Sequence, residues 1–232
     1  MQNKGNSKIW LSPTGIGILE RCPRCFWLKY RKKISQPEGI VSRLANRFDV
    51  LIKKYFDLYR SGGELPPMIE GKVKGKLENP FQEKYFINYS DQYGYLGKLD
   101  ECLITDDGEY TPVDHKTSSS NPSDENDSPT KKQTEAAYQF QLDSYAWLLE
   151  ENNKKSSGIG HLIYFYPEYS KDLHDHFKMK IFIKTLKTDP ERAKEKFIRA
   201  TKVLDGLLPE PSSDCPFCAW YEMVGAELGK LF

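Results

Sequence analysis

The sequence predicts a mixed α/β fold in which helices flank a sheet, and two observations on strand and helix patterns support this prediction. Segments of strand character alternate with segments of helical periodicity along the 232 residues. The segment 158–169 is apolar enough to form an inner strand. Two Cys-x2-Cys pairs, CPRC and CPFC, stand near opposite ends of the chain. That separation is too long for a small zinc finger, so the pairs are expected to tie the N- and C-terminal segments together.

The predicted elements follow from local signals. Ser12-Pro13 begins a first helix that breaks near Pro23, because proline suits the first turn of a helix and disrupts its interior. Apolar residues at three- and four-residue steps predict a second helix over 41–60. Alternating or apolar runs predict strands, and Asp106-Asp107-Gly108 predicts a hairpin turn. The remaining predictions are a loop over 62–82, a strand over 83–90, a hairpin over 93–117, a polar loop over 118–133, a helix over 134–152, strands over 158–169 and 175–184, a helix over 189–208 and a short C-terminal helix.

Positive charge is concentrated in the N-terminal part of the chain. The net charge is only +1, yet residues 1–60 hold thirteen Lys or Arg against four Asp or Glu. The segment 21–33 contains no acid and six bases, namely Arg21, Arg24, Lys29, Arg31, Lys32 and Lys33. A basic face of this kind can meet nucleic-acid phosphates, and it can equally be a solvated helix face.

The sequence gives no sign of a membrane protein. No segment approaches the roughly 20 apolar residues of a membrane span, and the N-terminus lacks the apolar core of a signal peptide. The expected protein is therefore cytoplasmic, without membrane contact. In that compartment the five cysteines are not expected to form structural disulfides.

Charged residues in the predicted hairpin suggest a metal site. Asp114 and Lys116 are two residues apart, so they share one face of a strand. Pairing of the hairpin brings Asp100, on the preceding strand, close to Asp114. Carboxylates and carbonyl oxygens suit Mg²⁺ or Mn²⁺. The alternative is a surface ion pair between Asp114 and Lys116.

The motifs around these residues resemble those of the PD-(D/E)XK nuclease superfamily, in particular its RecB-like branch. The three matching segments are G-x-x-D at Gly97 to Asp100, D-x-K at Asp114 to Lys116, and Q-x-x-x-Y at Gln141 to Tyr145. The resemblance implies that Asp100, Asp114 and the backbone carbonyl of His115 bind metal. It also implies that Lys116 is catalytic, with Gln141 and Tyr145 supporting the site.

This resemblance implies a fold and a division of the chain. The expected fold is a single restriction-endonuclease-like domain over 1–232, with a mixed sheet flanked by helices. Within it we expect an N-terminal helical part over 8–61, a nuclease core over 83–208, and a C-terminal cysteine segment over 209–232.

One position departs from the RecB-like pattern. Many members carry a histidine on the early helix as a further metal ligand, and the predicted helix over 41–60 has none. Asp49 flanks the apolar stripe of this helix and is the best substitute. The alternative is that Asp49 pairs with Lys53, one helical turn later, on the surface.

Cys22, Cys25, Cys215 and Cys218 are expected to form one four-cysteine metal site. Four thiolates suit either zinc or an iron–sulfur cluster, and the spacing does not decide between them. The resemblance favours a [4Fe–4S] cluster, although such relatives usually place one cysteine before the core and three after it. Here two cysteines precede the core and two follow it, so a structural Zn²⁺ remains the alternative. The fifth cysteine, Cys102, is expected to pack in the core.

Two functions compete at this point. The first is a metal-dependent DNA nuclease, an exonuclease or end-processing enzyme that acts on single strands or ends in repair, recombination or defence. Because no helicase motif is present, unwinding would come from a helicase or recombination partner. The second is a non-catalytic nucleic-acid-binding module that keeps the nuclease fold. The intact Asp100, Asp114 and Lys116 favour the enzyme.

Overall fold

The computed structural model describes residues 8–37, 43–123, 129–169, 171, 174, 176 and 178–228, with the backbone alone at 129, 130, 227 and 228. The helices are α1 Pro13–Arg21, α2 Pro23–Trp27, α3 Arg43–Arg60, α4 Pro129–Glu151, α5 Pro190–Asp205 and α6 Pro216–Leu228, with a π-helical turn at Leu28–Lys32. The strands are β1 Ile9–Leu11, β2 Lys76–Leu77, β3 Lys84–Asn88, β4 Tyr93–Lys98, β5 Glu101–Ile104, β6 Tyr110–Thr117, β7 Ile159–Pro167 and β8 Met179–Lys187.

These elements confirm the predicted mixed α/β fold, with several corrections. Strand β1 was not predicted, α4 begins at Pro129 inside the predicted polar loop, and β8 runs over Met179–Lys187 where 175–184 was expected. The predicted loop over 62–82 contains the short strand β2, which pairs with β5. The predicted strand through 93–104 is interrupted at Leu99 and Asp100, so β4 and β5 are separate strands. Predictions for 41–42, 124–128, 175, 177 and 229–232 fall outside the described residues.

The chain forms two compact units, and it passes between them within β3, β4 and α5. The first unit comprises described residues within 1–41, 88–95 and 194–232, and the second comprises those within 42–87 and 96–193. The prediction of one nuclease domain with three parts is a separate claim about folding and stays a prediction.

The second unit is built around a five-stranded sheet of order β2-β5-β6-β7-β8. Strands β6 and β7 run parallel, and the other three pairings are antiparallel. The parallel pair is joined through α4, as a crossover connection requires. The segment predicted to be an inner strand, β7, lies between β6 and β8. This confirms its sequence-based placement.

The two faces of the sheet carry different side chains. On one face, Ile52 and Phe56 from α3 pack with Val113, Ile163 and Phe165 in an apolar cluster. Successive residues of a strand point to opposite faces. The side chains of β6 after Val113 therefore point alternately toward α4 and toward this apolar cluster. Asp114 and Lys116 both bond to a residue of α4, so the charged pair of β6 lies on the α4 face.

The first unit contains a parallel strand pair and a capped helix. Strand β1 runs parallel to β4, with Ile9 opposite Tyr93 and Leu11 opposite Tyr95. Helix α1 is capped by the Ser12 hydroxyl, which accepts a hydrogen bond from the Gly15 N–H at 3.1 Å. Such a cap satisfies one of the N–H groups that the first turn of a helix leaves without a partner.

Among the described residues, no helix combines the length and the apolar character that crossing a bilayer would require.

A buried ion pair in the second unit gives a test of stability. The Arg60 guanidinium donates two hydrogen bonds to the Glu101 carboxylate, at 2.9 and 2.7 Å, and the Glu101 side chain is only 1% exposed. Removing one partner leaves a buried charge without compensation. We expect Arg60→Met to lower the free energy of unfolding by about 3–5 kcal/mol, measured by urea denaturation.

Lys155→Met is the matched control, because Lys155 pairs with Glu109 from a side chain that is 77% exposed. Its urea midpoint should equal that of the wild type. Equal midpoints for all three proteins would show that the Arg60–Glu101 pair contributes nothing to stability.

Candidate active site and metal centre

Asp100 owes its position to the interruption between β4 and β5. Strand β5 begins at Glu101, which lies opposite Val113, so no strand residue remains to continue the ladder beside His115. The Asp100 carboxylate takes that place and accepts a hydrogen bond from the His115 backbone N–H at 3.1 Å. The N–H and C=O of one strand residue point to the same side. The His115 carbonyl is therefore directed toward Asp100.

Asp114, Lys116 and Gln141 form a closed set of contacts on the α4 face of β6. The Lys116 ammonium lies 2.5 Å from Asp114 Oδ2 and donates to Gln141 Oε1 at 2.8 Å. The Gln141 amide donates to Asp114 Oδ1 at 2.7 Å. Each side chain is thus held by the other two, and the 1% exposed Asp114 carboxylate has a fixed orientation.

Tyr145 lies one turn after Gln141 on α4. Its hydroxyl accepts from the Gln141 amide at 2.6 Å and lies 3.4 Å from Asp114 Oδ1. The close approach of α4 depends on Gly97. A Cβ at Gly97 would lie 2.4 Å from the Leu148 methyl group Cδ1 and 3.5 Å from the Tyr145 ring. The first glycine of the G-x-x-D motif therefore makes room for the helix that carries the Q-x-x-x-Y motif.

The His115 side chain lies on the opposite face from Asp114 and Lys116. Its ring packs between Phe56 and Phe165, with centroid distances of 4.6 and 5.6 Å. Neither ring nitrogen has a hydrogen-bond partner within the part of the chain that the structure describes. Burial lowers the pKa of His115 to about 4, so the ring is neutral at pH 7. His115 therefore meets Asp100 through its backbone.

Asp49 and Lys53 on α3 complete the surroundings of Asp100. The Lys53 ammonium lies 2.8 Å from Asp100 Oδ1 and 3.0 Å from Asp49 Oδ2. The predicted pairing of Asp49 with Lys53 is therefore present. The alternative prediction, that Asp49 binds metal, stays a prediction, with the lysine placed between this carboxylate and Asp100.

The structure adds two side chains to the site that the sequence did not predict there, Lys53 and Tyr138. Lys53 was considered only as a partner of Asp49, and nothing in the sequence revealed its contact with Asp100. Tyr138 lies on α4, and its ring centroid is 4.2 Å from the Lys116 ammonium, which favours a cation–π interaction. Tyr138 precedes Gln141 by three residues, so helical spacing offered a signal for it.

The electrostatics of the two central carboxylates differ. Burial raises the pKa of Asp114 to about 6, with Asp100 adding to the shift and Lys116 opposing it. Burial also disfavours ionisation of Asp100, but the hydrogen bond from Lys53 and other favourable interactions outweigh it and lower the pKa. Asp100 therefore ionises well below neutral pH, whereas Asp114 loses its proton only as the pH rises through about 6.

The four cysteines of the two Cys-x2-Cys pairs come together in the first unit. Cys25 Sγ lies 3.7 Å from both Cys215 Sγ and Cys218 Sγ, and Cys22 Sγ lies 3.8 Å from Cys218 Sγ. All four sulfurs are within 4.8 Å of one another, and all four residues are buried. This arrangement, called the four-cysteine centre below, confirms the predicted meeting of the N- and C-terminal cysteines and can hold a metal.

The cysteines of the four-cysteine centre differ in acidity: the pKa of Cys22 is lowered, whereas burial raises the pKa of Cys25 and of Cys218. Burial works against ionisation of Cys22, yet backbone hydrogen bonds from Cys25 and Ser212, with contributions from other cysteines, lower its pKa to about 7. Thiolates are the form that binds metal. The fifth cysteine, Cys102, is fully buried on β5, which agrees with its predicted place in the core.

The predicted basic face divides into two groups. Arg24 donates to the Pro209 carbonyl and pairs with Glu210 and Glu222. Arg31 donates to the Leu204 carbonyl and pairs with Asp205. These two arginines hold the first unit together. Three other bases are exposed, namely Arg21, Lys32 and Lys33, while Lys29 is half-buried beside the Tyr30 ring.

The geometry defines a class of site. A partly exposed carboxylate, Asp100, and a buried one, Asp114, lie at the end of the β5–β6 ladder, with the His115 carbonyl directed toward the first and Lys116 held beside the second. Oxygen ligands of this kind suit a hard divalent cation, and the adjacent lysine suits a reaction that develops negative charge. An arrangement of this kind suits metal-assisted hydrolysis.

The comparisons with known proteins give the family. The sequence profile of the PD-(D/E)XK nuclease superfamily matches residues 96–223. The match covers more than half of the chain, and the chain belongs to this superfamily. It spans the three predicted motifs and Cys215 and Cys218. No curated protein matches the sequence significantly.

Solved structures resemble the fold at a low level. The protein SSO0001 is 16% identical with a TM-score of 0.47, and the match covers 88% of this chain and 79% of that one. A phage-related exonuclease from Haemophilus somnus 129PT is 15% identical with a TM-score of 0.45, covering 79% of each chain. An alkaline exonuclease from Laribacter hongkongensis is 10% identical with a TM-score of 0.41, covering 98% and 96%. The assignment to the superfamily therefore depends on the sequence profile.

The raised pKa of Asp114 predicts how metal-free stability depends on pH. A carboxyl whose pKa is higher in the folded protein than in the unfolded chain binds its proton more tightly in the folded state. Stability is therefore lost as the pH rises from about 4 through 6. We expect Asp114→Asn to gain about 2–3 kcal/mol relative to the wild type between pH 4 and pH 7, measured by urea unfolding in a chelator.

Asp106→Asn, in the exposed β5–β6 turn, is the control. Its stability relative to the wild type should be the same at both pH values. A constant difference for Asp114→Asn as well would contradict the raised pKa.

Proposed function

We propose that this protein is a divalent-metal-dependent deoxyribonuclease that hydrolyses phosphodiester bonds at DNA ends or in single strands. The observation that carries the proposal is the convergence of Asp100, Asp114 and the His115 backbone beside Lys116. Gln141 bonds to both Asp114 and Lys116, so the carboxylate and the lysine are oriented before substrate arrives. An exposed ion pair would not need such support.

The chemistry assigned to each residue follows from its contacts. Asp100, Asp114 and the His115 carbonyl would hold Mg²⁺ or Mn²⁺, which supplies charge stabilisation and a more acidic water when bound. Lys116 orients the attacking water and favours loss of its proton. Gln141 and Tyr145 keep the Asp114 carboxylate in place. Tyr138 restricts the Lys116 ammonium by lying against it.

The substrate preference is supported by the distribution of charge. Arg21, Lys32 and Lys33 are exposed on the basic segment and are available to phosphates, whereas Arg24 and Arg31 are engaged within the protein. The proposal includes a role in repair, recombination or defence and a cytoplasmic location. It also includes a helicase or recombination partner that exposes single strands, because the matched motifs are those of a nuclease alone.

The four-cysteine centre is proposed to hold a structural metal. Thiolates around one tetrahedral ion, with metal–sulfur bonds of about 2.3 Å, lie about 3.8 Å apart. Three of the six Sγ distances, 3.7, 3.7 and 3.8 Å, agree with this value, and all six are within 4.8 Å. In a [4Fe–4S] cluster each thiolate binds a different iron, so the sulfurs must lie further apart. The geometry therefore favours Zn²⁺ over the [4Fe–4S] cluster that the resemblance implies.

Loss of one cysteine tests the centre and its metal. We expect Cys218→Ser to lose most of the bound metal and to unfold at a lower temperature, because metal binding is coupled to folding. Cys102→Ser should keep its full metal content, since Cys102 lies on β5, outside the four-cysteine centre. Elemental analysis and absorption spectra of protein purified without oxygen provide the measurement.

One zinc per chain and a colourless solution are the expected result for the wild type. A brown protein with a broad visible absorption band would establish the iron–sulfur cluster instead. A wild type that contains neither metal would contradict the four-cysteine centre as a metal site.

Cleavage by the wild type and by Lys116→Met tests the nuclease. With Mg²⁺ or Mn²⁺ we expect the variant to cut linear single- and double-stranded DNA about 10²–10⁴-fold more slowly, the range for loss of a group that assists proton transfer. Lys98→Met is the matched control, because Lys98 is 53% exposed and pairs with Glu83. It should cleave at the wild-type rate.

Closed circular DNA supplies the second comparison, and it should resist cleavage if the enzyme needs an end. Equal inertness of the wild type and Lys116→Met toward every substrate would favour the non-catalytic nucleic-acid-binding module.

A further inference from the structure

Lys53 stands between two carboxylates of the second unit. Its ammonium lies 2.8 Å from Asp100 Oδ1 and 3.0 Å from Asp49 Oδ2, and its side chain is 24% exposed. Asp49 belongs to the same helix and precedes Lys53 by one turn. Asp100 belongs to the interrupted edge of the sheet. One cation therefore joins the helix α3 to the carboxylate that is expected to bind metal.

The position of Lys53 restricts where a divalent cation can bind. An ion held jointly by Asp49 and Asp100 would need the place that the Lys53 ammonium occupies. Two cations at such a distance repel each other strongly in a partly buried site. With Lys53 present, the pair Asp49 and Asp100 is therefore closed to a metal.

The same contact also fixes the orientation of the Asp100 carboxylate relative to Asp114. Lys53 engages Asp100 Oδ1, and the His115 N–H engages Asp100 Oδ2. Both carboxylate oxygens are thus oriented from the protein side. A cation shared with Asp114 then meets a carboxylate that cannot rotate toward Asp49.

We propose that Lys53 is a built-in cation that limits this site to a single divalent ion, held by Asp100 and Asp114. Asp49 serves as the positioning partner of Lys53 and is not a ligand of that ion. The inference rests on the proposed function, because it takes Asp100 and Asp114 as metal ligands. It gives α3, which lies outside the residues matched by the family profile, a role in limiting the number of bound metal ions.

The number of bound Mn²⁺ ions tests this assignment without any cleavage assay. Mn²⁺ prefers oxygen ligands, so it reports on the carboxylates while the four-cysteine centre keeps its own metal. Titration followed by electron paramagnetic resonance and calorimetry should give one ion per chain for the wild type. Lys53→Gln removes the ammonium but keeps a similar shape, and it should bind two.

Three further variants and one control test whether the charge of Lys53 sets the number of bound ions. Lys53→Arg keeps the charge and should bind one ion. The double variant Lys53→Gln with Asp49→Asn lacks the second carboxylate and should return to one ion. Asp49→Asn alone should bind one ion with an affinity within about twofold of the wild type. Lys54→Gln, which alters the exposed neighbouring lysine, is the control for a general change in charge and should also bind one.

Each outcome has a definite meaning. Two ions in the wild type, or one in a folded Lys53→Gln protein, would overturn the inference while leaving the nuclease proposal intact. A tenfold loss of Mn²⁺ affinity in Asp49→Asn would also overturn it, because Asp49 would then be a ligand. A wild type that binds no Mn²⁺ would overturn both the inference and the proposed metal site. If Lys53→Gln fails to fold, Asp49→Asn and Lys53→Arg still decide the question.

Discussion

A single backbone hydrogen bond, from the His115 N–H to the Asp100 carboxylate, determines how this site is arranged. It exists because β5 begins at Glu101, two residues too late to offer the His115 N–H a backbone carbonyl. A buried donor needs a partner, and the side chain of Asp100 supplies it. The ladder between β5 and β6 thus ends at the Asp100 side chain. The His115 carbonyl points to the same side as its N–H and is therefore directed toward Asp100. A residue that serves the fold is thereby placed where it can bind a cation.

The charges around this bond are balanced in pairs. Asp100 faces Lys53, and Asp114 faces Lys116. Burying four ionised groups is costly unless each has a partner and further hydrogen bonds. Gln141 adds bonds to both members of the second pair, and the His115 N–H adds one to the first. This arrangement keeps the carboxylates oriented at the expense of stability, as the raised pKa of Asp114 indicates.

The sequence predicted the parts of the site that depend on local spacing. The two-residue period of a strand placed Asp114 and Lys116 on one face, and the four-residue step of a helix placed Gln141 with Tyr145. It failed where the outcome depended on contacts between distant elements. The break at Leu99 and Asp100 left only a weak compositional signal. Lys98, Asp100 and Glu101 are residue types depleted in strands, but the aromatic and aliphatic residues further out on both sides favour strand. The contact of Lys53 with Asp100 depends on how α3 packs on the sheet, and side-chain spacing within α3 says nothing about it.

The separation of the two Cys-x2-Cys pairs has a consequence for how the protein is made. Cys22 and Cys25 leave the ribosome early, while Cys215 and Cys218 follow nearly the whole chain. Strand β8 closes the five-stranded sheet at Lys187, so that unit can fold while the first cysteine pair still lacks its partners. Two thiolates alone hold a metal far less tightly than four. Any metal that the four-cysteine centre binds would therefore be loaded late in biosynthesis, after the chain has been translated through Cys218.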